Sequence, residues 1–305
     1  MVIYPPLHAL YSNERMLYVQ RWNGSVMDNA AAYIKMLRIG DWIRFYPIFP
    51  LAGALCACGI APELLPVLVI FMCITGYGFV VNNYYDVEID RSHAGKVEKN
   101  TNPLVSGKVS KKGTLVLMGV LVSLSLCIAA AMSLSGLVCC LLCIGALTLY
   151  SAAPFRFKDR FLVDILTHGL MFGGLPVLAG YALAGGTLAS PDPLLVGCAL
   201  IGTLVCFEAL IAHQICDYWE DRDSATTTVV RLGHRMGGIL LGSMMAVSIA
   251  ALELLALAIP FNAVLHAGVL VSLAAYPALS CRQEVMVQMK STYSRVLVAC
   301  MNLQR

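Results

Sequence analysis

Two short stretches put carboxylates where an otherwise apolar chain can least accommodate them. The first reads Asn82-Asn83-Tyr84-Tyr85-Asp86-Val87-Glu88-Ile89-Asp90-Arg91, and the second Asp217-Tyr218-Trp219-Glu220-Asp221-Arg222. On a continuing helix Asn82, Asp86 and Asp90 recur every fourth residue and share one stripe, as do Asp217 and Asp221. Carboxylates at a membrane boundary are costly unless paired, hydrated or metal-bound. A single pair reads equally well as a charged helix end. Two pairs in matching register, each followed by an arginine, point instead to hard oxygen ligands for Mg²⁺, an ion that keeps waters and is shared with substrate phosphates. Facing clusters would hold two or more ions around a diphosphate and neutralise the charge that builds on it as a carbon–oxygen bond breaks. Asp86, Asp90, Asp217 and Asp221 are therefore the candidate catalytic residues, with Asn82 beside them as a further metal ligand.

Basic residues near these stripes are candidates for the phosphate oxygens: Arg44, Arg91, Lys96, Lys158 and Arg222. Most other lysines and arginines need no explanation beyond membrane orientation. His168 and His213 read as hydrogen-bonded bundle residues rather than bases. Glu208 and Glu253 are acids within apolar segments, and Glu253 has no evident partner in the sequence.

The elements that must position these groups are membrane spans. Of 305 residues, 59% are hydrophobic and 13% charged, outside the range of ordinary soluble domains. Eight segments have the length and polarity of a span, near 43–61, 64–84, 114–134, 136–153, 162–184, 194–216, 236–259 and 263–281. With eight spans, all 21 Lys and Arg fall on one side. The positive-inside rule makes that side cytoplasmic, with both termini and the acidic motifs on it, in a multi-pass protein of the cell membrane. The motifs lie four spans apart, as in a duplicated four-span unit. Residues 1–28 read as an interfacial arm, 29–283 as the membrane domain, and 284–305 as an amphipathic helix or a partial ninth span. The 12 cysteines lie mostly within spans, where the residue behaves as a small apolar one, without the spacing of a zinc site. A net charge of +3 suits an anionic lipid surface and gives no sign of nucleic acid. A transporter would place its ionisable groups near the midplane, whereas these lie at the membrane surface.

At the acidic stretches the chain resembles the UbiA superfamily of membrane prenyltransferases. Asn82 to Asp90 resembles the family's NDxxDxxxD motif with Asn83 in place of the first Asp, and Asp217 to Asp221 its DxxxD motif. Asn102-Pro103-Leu104-Val105-Ser106-Gly107 is similar to an RPLPSG-like stretch, Tyr150 to Lys158 to a YSxPPxRxK stretch, and Thr226 to Gly233 to the segment after the second motif. The likeness runs from about residue 36 to 281. It implies an all-α bundle of transmembrane helices, eight to nine spans around a central cavity with a cytoplasmic cap. It also implies Mg²⁺-assisted ionisation of a polyprenyl diphosphate and capture of the allylic cation by a lipophilic acceptor. Tyr150 joins the diphosphate contacts on the same ground. Arg38, Trp42, Arg44, Asp90 to His93 and Lys96 resemble instead the branch that transfers phosphoribose to polyprenyl phosphate, and a membrane terpene cyclase is a third reading; the Tyr150 to Lys158 stretch favours prenyl transfer.

Overall fold

The computed structural model describes residues 30–92, 102–223, 225–259 and 263–280, and within them every regular element is helical. The chain opens with two short helices, α1 (Ala30–Met36) and α2 (Ile39–Trp42), then α3 (Ile48–Cys58) and α4 (Leu64–Tyr85). A short α5 (Val87–Ser92) follows, and after it the paired helices α6 (Lys111–Met132) and α7 (Leu134–Ser151). Next come α8 (Val163–Gly169), a π-helical turn (Leu170–Gly174), α9 (Leu175–Leu183) and α10 (Pro193–Cys216). The described chain ends with α11 (Tyr218–Asp221), α12 (Thr228–Leu232), α13 (His234–Ala258) and α14 (Ala263–Ser280).

Among the described residues six helical stretches are long and apolar enough to cross a membrane: α4, α6, α7, the continuous run Val163–Leu183, α10 and α13. They fall on six of the eight expected segments, and α14 falls on the last. The expected first span differs. Only Ile48–Cys58 is a single helix there, 11 residues long, bounded by Pro47 and by Gly59 at φ 65°. The residues before it fold as α2 and turns, drawn inward by Trp42, which is 1% exposed and donates its indole N–H to the Leu37 carbonyl at 2.7 Å. The proposed arm at 1–28, the segment 284–305 and Lys96 lie outside the described residues.

Local chemistry sets the ends. Ser133 is extended and both closes α6 and caps α7, its hydroxyl accepting from the Gly136 amide at 3.2 Å, so two apolar helices reverse over one residue. Asp192 caps α10 ahead of Pro193, accepting from the Leu194 amide at 2.7 Å. The cysteines pack as expected: Cys139, Cys140 and Cys143 are buried in the core beside Leu147, and the ten described cysteines are all free thiols. Glu253 has a partner the sequence did not reveal, His266 of α14 at 3.0 Å. Glu208 is fully buried and accepts from the Ser248 hydroxyl of α13.

Helix α4 lies against α6 and α7, α9 against α3 and α7, and α10 against α13 and the π turn. In lipid there is little hydrophobic drive between helices, so small residues that let backbones touch matter most. A Cβ on Gly53 of α3 would lie 1.8 Å from the Val177 carbonyl oxygen, and one on Gly180 of α9 would lie 1.9 Å from that of Pro50. The two helices therefore cross backbone to backbone, and both pack against α10. Gly53→Val and Gly180→Val are each expected to lower the thermal unfolding midpoint in detergent, overpacking costing about 1–3 kcal/mol or more. Unchanged melting of both variants would mean that the crossing is looser than this.

Candidate active site

Both acidic motifs have the same backbone construction. Helix α4 gives way to α5 at Asp86, whose φ of −95° and ψ of 4° are not helical, and α10 gives way to α11 at Asp217, with φ −88° and ψ 1°. The stripe does not sit on one unbroken helix, as the spacing suggested. The i to i−4 hydrogen bonds nevertheless pass through each break, Asp86 to Asn82 and Asp90 to Asp86, then Asp217 to His213 and Asp221 to Asp217. Each break turns the first aspartate of its pair at the end of a long helix, in the sparsely populated bridge region where site residues often sit.

The first motif is enclosed. Asp86 and Asp90 are each 6% exposed. The Lys158 ammonium donates to Asp86 Oδ2 and, at 2.8 Å, to Asn82 Oδ1, while the Arg156 guanidinium lies 3.4 Å from Asp86 Oδ1. Ser151 donates to Asn82 Oδ1 at 3.3 Å, and Asn102 donates to Asp90 Oδ2 at 2.9 Å and to the Asn83 carbonyl at 2.8 Å. Asn83 itself turns away from this group and donates to the Met36 carbonyl at 3.3 Å, tying α4 to α1. Burial pulls the Lys158 ammonium below its usual value, against the opposing pull of Asp86. Burial also works against the Arg156 charge, but Asp159 and Asp86 outweigh it and hold that group more basic than usual.

The second motif is open. Asp217 has a side chain 41% exposed, with His213 Nε2 3.3 Å away, and His213 is exposed rather than within the bundle as expected. Arg222, a proposed phosphate contact, lies with its guanidinium 5.5 Å over the Trp219 ring and 3.4 Å from Asp223. Arg91 pairs with Glu88 at 2.9 Å, and Arg44 is exposed between α2 and α3. Lys158 has its contact with the acidic group in place. Tyr150 is half-buried directly before Ser151.

One loop, residues 152–162, holds the two motifs at the same end of the bundle. Its Arg156 and Lys158 bind the first motif, while Thr226, just after the second, donates to the Asp159 carbonyl and Thr228 accepts from the Leu162 amide at 2.7 Å. Beneath it lies a group that sequence reasoning missed. Asp164 is fully buried, accepting from the Thr228 amide at 2.7 Å, the Thr228 hydroxyl, Gln214 Nε2 at 2.8 Å and the Ile165 amide at 2.8 Å. Gln214 in turn accepts from the Val229 amide at 3.1 Å. A carboxylate inside the apolar run Phe161 to Leu166 was the available signal. Arg156 and Leu162 have left-handed backbones, φ 38° and 62°, a strain of about 1–3 kcal/mol each that these contacts must hold.

No three His, Cys, Asp or Glu side chains converge on one point among the described residues, so there is no preformed cage. The donor set still fits Mg²⁺. It consists of carboxylate and amide oxygens, and the Lys158 ammonium stands between Asn82 Oδ1 and Asp86 Oδ2, where a cation is stable. Mg²⁺ takes few protein ligands and fills its octahedron with water and phosphate oxygens.

A model of the UbiA prenyltransferase family matches residues 46–296. The chain belongs to that family. It is a multi-pass membrane protein and a prenyl transferase by that membership. Among UbiA relatives, digeranylgeranylglyceryl phosphate synthase of Methanobrevibacter smithii is 25% identical over 238 residues, 75% of this chain and 79% of that one. The 4-hydroxybenzoate octaprenyltransferase of Pseudomonas syringae pv. tomato is 28% identical over 150 residues, 48% of this chain and 49% of its own. A UbiA homologue from Archaeoglobus fulgidus, solved with GPP and Mg²⁺, superposes with a TM-score of 0.69 at 21% identity, over 81% of this chain and 86% of that one.

Replacing Asp164 tests the knot beneath the loop. Asp164→Ala leaves the Thr228 and Gln214 donors without an acceptor, at about 1–3 kcal/mol for each buried group. The expected result is a lower unfolding midpoint and faster proteolysis within 152–162. Asp164→Asn should recover only part of the loss, because every partner is a donor. Wild-type melting and proteolysis of Asp164→Ala would show that the loop is held elsewhere.

Proposed function

We propose that this chain is a Mg²⁺-dependent integral membrane prenyltransferase that moves a prenyl group from a polyprenyl diphosphate to a lipophilic or aromatic acceptor. The observation that carries the reading is the partly buried cation, Lys158, held between Asn82 and Asp86, with a second acidic pair of the same backbone construction anchored to the same loop. Family membership supports it, as do the relatives named for digeranylgeranylglyceryl phosphate and 4-hydroxybenzoate chemistry and the homologue solved with GPP and Mg²⁺. Acidic loops and termini in the cytoplasm suit the one-sided placement of the basic residues.

In this reading Asn82, Asp86, Asp90, Asp217 and Asp221 hold the metal. When bound, Mg²⁺ neutralises the charge that develops on the departing diphosphate. Lys158 and Arg156 exchange their contacts with Asp86 for phosphate oxygens. Their enclosure strengthens that interaction, since a charge–charge contact out of bulk water is weakly screened. Arg91, Arg222 and Lys96 reach the phosphates from the rim, Arg222 by leaving Trp219. Tyr150 stands at the membrane side of the head group, where the ionising carbon lies. The isoprenoid tail runs among Leu, Val, Met and Phe side chains. Its burial is worth about 0.8 kcal/mol per CH₂ relative to water, much of which lipid already provides, so the head group dominates recognition.

Incubation with labelled polyprenyl diphosphates, with and without Mg²⁺, tests the reaction. Asp86→Ala and Asp217→Ala are each expected to abolish turnover in protein that remains folded in detergent; near-normal product from either would remove the metal-site assignment. Donor binding in bilayers should fall steeply with EDTA and with Lys158→Met, and change little when two or three isoprene units are removed. Affinity that ignored EDTA yet followed chain length would mean that the tail is what is recognised.

A further inference from the structure

His168 lies on α8 one turn beyond Asp164, with 7% of its surface exposed. Its Nδ1 is 2.9 Å from the Cys206 carbonyl oxygen of α10. A carbonyl only accepts, so Nδ1 carries the hydrogen and Nε2 carries the lone pair. Among the described residues the fully closed-off side-chain atoms without a partner are Glu208 Oε2 and Thr227 Oγ1. Nε2 is not one of them and forms no hydrogen bond there, so it keeps a small exposed surface within a side chain that is otherwise buried. Two rings flank the imidazole: Tyr150 has its centroid 6.2 Å away, and Phe172 on the π turn 4.9 Å. Phe172 in turn stacks on Tyr46 at 4.4 Å. Tyr150 precedes Ser151, whose hydroxyl binds Asn82, so the imidazole is one aromatic ring away from a residue that contacts the acidic motif.

A prenyl acceptor that attacks through an O–H or C–H position must shed a proton, and an interior lined with rings and aliphatic groups offers few places for it. Asp86 and Asp90 are engaged in the metal-binding group. Asp164 is saturated by four donors, and Glu208 faces Ser248 between α10 and α13. The geometry points to His168 as the proton acceptor of the transfer step, and to an acceptor substrate that carries a removable hydrogen on its attacking atom. This rests on the prenyl-transfer reading. The donor's carbon–oxygen bond breaks with its electron pair leaving on the diphosphate, and the acceptor's hydroxyl oxygen or ring carbon forms the new bond to that carbon. The proton released from the same atom moves to Nε2. The imidazolium so formed keeps its Nδ1–H on the Cys206 carbonyl, a bond that strengthens with the positive charge.

The test uses the purified full chain in lipid nanodiscs, with radiolabelled geranylgeranyl diphosphate, Mg²⁺ and a total lipid extract of the source cells as acceptor. Diphosphate release and labelled lipid are measured separately for wild type, His168→Gln and His168→Asn. Both amides can still donate to the Cys206 carbonyl, but neither takes a proton. The expected result is diphosphate release within about threefold of wild type and labelled lipid down about 10²-fold or more, the label going instead to prenyl alcohol. A merely structural histidine would lower release and transfer together. That parallel loss in both variants, or transfer at the wild-type rate, would overturn the assignment. A wild type that releases diphosphate but labels no lipid would keep the donor chemistry and remove the base. A wild type that releases none would remove the prenyl-transfer reading itself, and the base with it.

Discussion

An ammonium group held between a carboxylate and an amide oxygen organises the acidic end of this bundle. Lys158 could not be enclosed there alone, because an unpaired buried charge costs several kcal/mol. Asp86 and Asn82 compensate it, and in doing so they tie the loop after α7 to the end of α4. The left-handed backbones at Arg156 and Leu162 are held by contacts on both sides of that loop. Its far end rests on Asp164, which also orients Gln214 at the end of α10 and Thr228 after the second motif. Two acidic motifs far apart in the chain thus share one support.

That support treats the motifs unequally. Around Asp86 and Asp90 the hydrogen bonds are made and water is excluded, whereas Asp217 and its neighbours face outward. A closed, charge-compensated half is preorganised, and under the proposed function the open half is where a hydrated ion and an anionic head group would enter. The partly buried cations have a second consequence. Lys158 and Arg156 are paired with Asp86 and Asp159, so the site does not carry an uncompensated charge in the membrane. Below it the π turn, packed closely against α10 at Gly173 and Gly202, directs Phe172 toward His168 and Tyr46.

The apolar blocks, the one-sided distribution of basic residues and the repeated spacing of aspartates are properties of the chain read in order. From them follow the helical membrane architecture, the family and the acidic motifs, since span length, charge placement and a four-residue period are one-dimensional quantities. Even the packing role of Asn83 touched only a position beside the ligand stripe. What spacing alone did not disclose was which cations meet which carboxylates. Arg222 and Lys158 look equivalent in the sequence, yet one lies over Trp219 and the other between Asn82 and Asp86. The short α3 in place of a full first span, the break at each leading aspartate, the Asp164 knot and the hydrogen bond of His168 to the Cys206 carbonyl were decided by tertiary structure. Each depends on a partner 38 or more residues away or on how a backbone turns to reach one, and hydrogen bonds of that range are selected by how the helices pack, which no local period encodes.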